Sequence, residues 1–96
     1  MKILQVQFKW TKSREEYERG ARPQRFVGLP GLRWKIYAYD DEGSMATGSY
    51  LFEDIESLNS YLGPFKAGAQ PEGVEDIEFK VWDVQESLSK ITRAPI

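Results

Sequence analysis

Two cationic side chains share one short segment with several aromatic ones. Arg33 and Lys35 alternate with Trp34 and Tyr37, and a second run brings Tyr50 and Phe52, with Trp82 further on. A lysine desolvated among rings has its pKa lowered toward that of a base. Lys35 and Arg33 can also stabilise a developing enolate or phenolate. Tyr50 joins them as a catalytic candidate, because its hydroxyl can orient a phenolic oxygen while its ring packs. Trp34, Tyr37, Tyr50, Phe52 and Trp82 form the binding set, since small-molecule sites are mostly apolar with a few aimed polar groups. The same aromatics also read as core or interface residues, and alternating Lys and Arg also reads as a solvated or edge-protecting strand face.

Three acidic positions carry competing readings. Glu53 or Asp54 can act as a base, yet Asp54 also fits a helix N-cap and Glu53 a cross-strand partner for Arg33. The Asp40-Asp41-Glu42 cluster can attract a hard cation such as calcium, but it lacks the spacing of a known loop and reads as a solvated turn. No metal site is expected from it.

These residues need elements to position them. Pro30-Gly31 is a turn dipeptide, and from Leu32 to Tyr39 large apolar side chains alternate with amphipathic ones, which is the period of a half-buried strand. Asp40 to Ser44 is polar and offers Gly43 for a positive φ, and a return strand runs from Met45 to Glu53. A register pairing even-numbered residues would place Leu32, Trp34, Ile36 and Ala38 on one face with Ala46, Gly48, Tyr50 and Phe52. Gly48 and Ala46 would then leave room for Trp34 and Ile36.

Before this hairpin, Leu4, Val6, Phe8 and Trp10 alternate along a first strand from Lys2 to Trp10. Ser13 and Glu16 have the spacing of a capping box, so a helix is expected to about Arg22, followed by an irregular approach to Pro30. After it, Asp54 caps a helix bearing Ile55, Leu58, Tyr61 and Leu62, with Gly63-Pro64 expected to interrupt or kink it. A fourth strand covers Val74 to Val84, and a weakly patterned tail, residues 85–96, carries Leu88 and Ile91 for docking. The order βαββαβ predicts an α+β, ferredoxin-like antiparallel sheet with both helices on one face.

Composition narrows the chemistry. The 96 residues suit one domain, residues 1–96, with a modest core. Cysteine and histidine are both absent, which removes disulfides, thiolate nucleophiles, imidazole metal sites and a histidine base. A net charge of −2 weighs against a nucleic-acid surface. No apolar run approaches membrane-spanning length and no signal-peptide core stands at the N-terminus, so a cytoplasmic location is expected. All four strands place apolar residues on both faces, as in Ile3 with Leu4, Ile36 with Tyr37, Leu51 with Phe52 and Val81 with Trp82. Helices can cover only one face, so the other is expected to meet a second copy in a homodimer.

Four separated stretches together resemble one family: residues 30–37 (PGLRWKIY), 48–54 (GSYLFED), 61–64 (YLGP) and 79–84 (FKVWDV). They resemble the YdhR-like putative monooxygenase family, a branch of the dimeric α+β barrel superfamily, over nearly the whole chain and in the same order. The resemblance implies a dimer whose two sheets form a barrel, with a pocket in each subunit between sheet and helices. It further implies cofactor-independent oxygenation of a small aromatic or polyketide-like metabolite, an oxidoreductase activity needing neither metal nor flavin. The chain departs from the family pattern in a short, Pro23-containing segment before Pro30 and in Gly48-Ser49, where two glycines are common; both touch the expected pocket wall. A non-catalytic small-molecule-binding or stress-associated dimeric module on the same scaffold is the alternative. A structural dimer whose aromatics fill its own pocket is a third.

Overall fold

The computed structural model describes residues 1–40, 42 and 44–96. Its strands are β1 (Lys2–Trp10), β2 (Leu32–Tyr39), β3 (Met45–Phe52) and β4 (Val74–Asp83). Its helices are α1 (Arg14–Gly20), α2 (Gln24–Val27), α3 (Ile55–Lys66) and α4 (Glu86–Ile91). The sheet has order β2-β3-β1-β4 with antiparallel neighbours, the expected ferredoxin-like arrangement. Asp41 and Gly43, between β2 and β3 in sequence, lie outside the described residues, and with them the expected positive φ of Gly43.

Local chemistry sets the helix starts. Ser13 and Glu16 form the capping box, each side chain accepting from the other residue's backbone N–H. The Asp54 carboxylate accepts from the Ser57 N–H at 2.7 Å, which satisfies an orphan donor and opens α3. Helix α3 continues through Pro64 to Lys66 as one element, where an interruption or a kink was expected. Pro64 falls in the final turn, so its missing N–H removes one bond and leaves little helix to disturb. Gly31, at φ +77°, lets the turn before β2 lie against α3, where a Cβ would come within 2.2 Å of Ser57 Oγ.

The core lies between sheet and helices. Leu4, Phe52, Leu58 and Leu62 are essentially inaccessible, with Val6 and Tyr50 beside them. Each such apolar side chain stabilises the fold by roughly 1.5–3 kcal/mol through removal from water.

The β2–β3 register differs from the expected one. Leu32 pairs with Phe52, but Trp34 pairs with Leu51, Lys35 with Tyr50 and Tyr37 with Gly48, because a bulge at Arg33 adds one residue to β2. A one-residue slip sends every later side chain to the other face. Lys35, Tyr37 and Tyr39 therefore join Tyr50, Gly48 and Ala46 beneath the helices, while Trp34, Ile36 and Ala38 face outward with Leu51, Ser49 and Thr47. Gly48 pairs with Tyr37 and makes room for the Tyr50 ring, not for Trp34.

The outer face is covered in part. Leu51 is buried there, and the Trp34 indole N–H donates to the Pro95 carbonyl at 3.0 Å, which brings the C-terminal segment against this end of the sheet. That segment contains α4, started by the Gln85 side chain accepting from the Leu88 N–H. Leu88 and Ile91 do not dock as expected; they are 62% and 78% exposed, and the tail is anchored by Pro95 instead. Ile36 and Trp82 stay 55% and 46% exposed on the same outer face. No helix among the described residues is long and apolar enough to cross a membrane.

Candidate functional site

A cavity of about 250 Å³ opens between the sheet and the helices. Val6 and Phe8 of β1, Gly48 and Tyr50 of β3, and Ile77 and Phe79 of β4 make its floor, and Lys35 and Tyr37 of β2 make one wall. Tyr17 of α1, Arg25 and Phe26 of α2, and Tyr61 and Phe65 of α3 line it as well, together with Trp10, Pro71, Val74 and Glu72, whose carboxylate is paired with Lys12 at 2.7 Å. The one-turn α2 matters here. It sets Phe26 over the sheet at 6.3, 6.0 and 5.9 Å from the rings of Tyr37, Tyr50 and Tyr61.

The cavity floor depends on a small residue. A Cβ on Gly48 would stand 3.0 Å from Tyr50 Cε1 and 3.2 Å from its oxygen, so the phenol ring lies directly over this glycine. That placement lets the Tyr50 and Tyr61 hydroxyls meet at 2.9 Å, linking sheet to helix. Burial, then the neighbouring Tyr61, drives the Tyr50 pKa far above that of a free phenol, so Tyr50 stays protonated and acts as donor or acceptor, never as a phenolate at ordinary pH. Burial raises Tyr61 as well.

Lys35 is the cationic centre of the site. Its Nζ lies 3.8 Å from the Phe26 ring centroid, 4.0 Å from that of Tyr37 and 4.7 Å from that of Tyr50. Among the described residues no carboxylate lies within ion-pair distance of it. Burial, aided by the positive charge of Arg25, lowers its pKa to about 8. The rings favour the ammonium while desolvation opposes it, and desolvation prevails because no anion compensates the charge. The Tyr37 hydroxyl is buried without a hydrogen-bond partner among the described residues.

Of the residues singled out from sequence, the structure brings Lys35, Tyr37 and Tyr50 to this cavity. Phe52 is buried in the adjoining core, stacked 6.2 Å from Tyr50. Arg33 sits at the bulge on the surface, 3.6 Å from Glu53, which leaves Glu53 as its cross-strand partner. Trp34 points to the outer face, and so does Trp82, whose indole donates to Gln5 at 2.9 Å. Asp54 is the N-cap of α3. Among the described residues no acidic cluster could hold a metal ion.

Arg25, Phe26, Tyr17 and Tyr61 line the cavity without having been site candidates. Tyr61 was legible, since its helical spacing with Leu58 and Leu62 puts it on the sheet-facing side. Arg25 and Phe26 lie in a segment without periodic pattern, and nothing local announces the turn of helix that carries them.

With this geometry in place, the chain can be assigned by comparison. Residues 3–95 match the family described as "Putative mono-oxygenase ydhR", and the chain belongs to that family. No curated protein matches it by sequence. Among solved structures, it is similar to SnoaB, a cofactor-independent oxygenase from Streptomyces nogalater, at 15% identity and TM-score 0.68, over 91% of this chain and 96% of that one. It is also similar to an antibiotic biosynthesis monooxygenase from Deinococcus radiodurans, so described provisionally, at 13% identity and TM-score 0.65, over 90% and 94% of the chains. A third is the monooxygenase of the gene ActVA-Orf6 from Streptomyces coelicolor, solved with the ligand nanaomycin D, at 12% identity and TM-score 0.63, over 88% and 87%. These likenesses establish a shared fold.

Proposed function

We propose that the chain is a cofactor-independent monooxygenase acting on a small aromatic or polyketide-like molecule bound between sheet and helices. The observation that carries this reading is an aromatic-lined cavity of about 250 Å³ whose half-buried amine, Lys35, has no anionic partner among the described residues. A cavity near the lower end of the usual range of roughly 300–1,000 Å³ suits a compact ring system. The family assignment and the fold shared with cofactor-independent oxygenases point the same way.

In this reading Phe26, Tyr37 and Tyr50 hold the ring plane, and the Tyr50 hydroxyl orients an oxygen of the substrate. Lys35 accepts the substrate proton as its neutral amine, or stabilises the resulting enolate or phenolate as its ammonium, and the carbanion form of that anion reacts with dioxygen. For an anthrone, one methylene becomes a carbonyl while O₂ supplies that oxygen and one water, so the substrate furnishes all the electrons. The apolar walls exclude water from the anion.

The chain acts as a homodimer in this account. Exposed Ile36 and Trp82 on the outer sheet face, together with Leu88 and Ile91 of α4, give an apolar surface suited to a second copy. The activity test is oxygen uptake with a panel of quinols and anthrones, without added metal or flavin, with the anthrone product showing one oxygen gained and two hydrogens lost by mass. Uptake that needs substrate and falls in Lys35→Met supports the proposal; absence of turnover across the panel from pH 6 to pH 10 refutes it. Saturable binding without turnover would instead support a binding module.

A further inference from the structure

The oxygenation reading uses Lys35 as a base or as a charge, and leaves its nucleophilicity unused. We propose that Lys35 is an imine-forming amine that condenses with aromatic aldehydes and ketones entering the cavity. This goes beyond the oxygenase reading and shares with it only the premise that a small aromatic molecule reaches the cavity.

Four features of the site support it. The Nζ of Lys35 is walled by Phe26, Tyr37 and Tyr50, whose rings can stack on an aryl carbonyl compound and bring its carbonyl carbon to the amine. No carboxylate among the described residues holds the amine as an ion pair, so its lone pair is not tied up in a salt bridge. Arg25, a second cation lining the same cavity, further disfavours the ammonium, and apolar surroundings or a cationic neighbour are the usual means of activating a nucleophilic lysine. The Tyr37 ring centroid lies 4.0 Å from Nζ, and its buried hydroxyl, unpartnered among the described residues, is a proton donor that no other described group occupies. Burial raises the Tyr37 pKa, which keeps that proton in place.

The step balances without an oxidant or cofactor. The neutral amine attacks the carbonyl carbon, the carbonyl electron pair takes up a proton and a carbinolamine forms. Loss of its hydroxyl as water, with both protons coming from the amine and relayed through Tyr37, leaves a C=N bond to Lys35. Apolar walls then protect the imine from hydrolysis.

The test is reductive trapping on the intact protein with benzaldehyde and sodium cyanoborohydride, followed by peptide mapping. At pH 7 an amine of pKa about 8 presents its neutral form roughly three hundredfold more than an ordinary lysine of pKa 10.5. Among the lysines, the benzyl label is expected to be enriched at least about tenfold at Lys35 over any other. Lys35→Arg, which keeps the stem and charge, should abolish the enriched adduct, and Tyr37→Phe should slow it several-fold with the site unchanged. Label spread evenly over the lysines, or enrichment that survives in Lys35→Arg, overturns the proposal. Oxygen uptake is read separately. A protein that oxygenates quinols but leaves Lys35 unlabelled loses only the imine, and one that labels Lys35 without oxygen uptake loses only the oxygenase.

Discussion

Replacing Lys35 by methionine should stabilise the protein at neutral pH, and the gain should disappear in alkali. Methionine keeps the unbranched stem and the contacts with Phe26, Tyr37 and Tyr50 while removing the charge. The folded-state pKa of about 8 lies below the ordinary lysine value of 10.5, so the folded form binds the proton less well than the unfolded chain does. Below pH 8 the amine is charged in both states, and the folded state bears the full cost of holding an uncompensated ammonium. Between pH 8 and 10.5 the folded form has shed its proton while the unfolded form still binds it, so stability rises with pH. Above pH 10.5 both forms are neutral and the cost is gone. The drop from 10.5 to about 8 would correspond to roughly 3 kcal/mol for a fully desolvated group. Lys35 is half-buried, and solvent screening reduces the cost to about 1–2 kcal/mol. The variant should therefore melt roughly 5–10 °C higher at pH 7. Urea unfolding of both proteins at equal concentration, at pH 7, 9 and 10.5, measures the difference while the tyrosines titrate equally in each. A variant less stable at pH 7, or a difference that does not shrink with pH, would refute the argument that Lys35 sits unpaired against apolar walls.

Other substitutions test other parts of the account. Gly48→Ala drives a Cβ to 3.0 Å from the Tyr50 ring and should cost about 1–3 kcal/mol by thermal unfolding, with altered near-ultraviolet dichroism as the phenol shifts. Tyr50→Phe leaves the Tyr61 hydroxyl buried without its 2.9 Å partner, a loss of about 1–3 kcal/mol in urea unfolding. Leu58→Ala empties a fully buried position where α3 meets the sheet and should cost about 2–5 kcal/mol. Ile36→Asp, on the exposed outer face, should shift the protein from dimer to monomer in sedimentation velocity; an unchanged sedimentation coefficient would contradict the proposed interface.

Much of the fold was written in local pattern. The alternation of Leu4, Val6, Phe8 and Trp10, the capping box at Ser13 and the Asp54 cap each specify an element without help from the rest of the chain, and the structure follows them. The hairpin register was not legible. Strand β2 is amphipathic on both faces, with Trp34 and Ile36 at one parity and Tyr37 and Tyr39 at the other, so pattern alone cannot decide which set goes inward. A single bulged residue at Arg33 decides it, and sends Lys35 inward and Trp34 out. The same event explains the split among the site candidates, because Lys35 and Tyr37 reach the cavity by the parity that takes Trp34 away. The C-terminal segment departs from its pattern for a different reason: Leu88 and Ile91 look like docking residues, whereas the anchor is a backbone carbonyl, at Pro95, that no side-chain pattern reveals.

The central claim is that a small aromatic molecule binds between sheet and helices against Lys35. Side-chain chemical-shift mapping during titration with a hydroxylated anthrone under anaerobic conditions tests it directly. The account predicts saturable shifts at Phe26, Lys35, Tyr37, Tyr50 and Tyr61, which line the cavity. Shifts confined to Trp34, Ile36 and Trp82 on the outer face, with the Lys35 resonances unmoved, would contradict it.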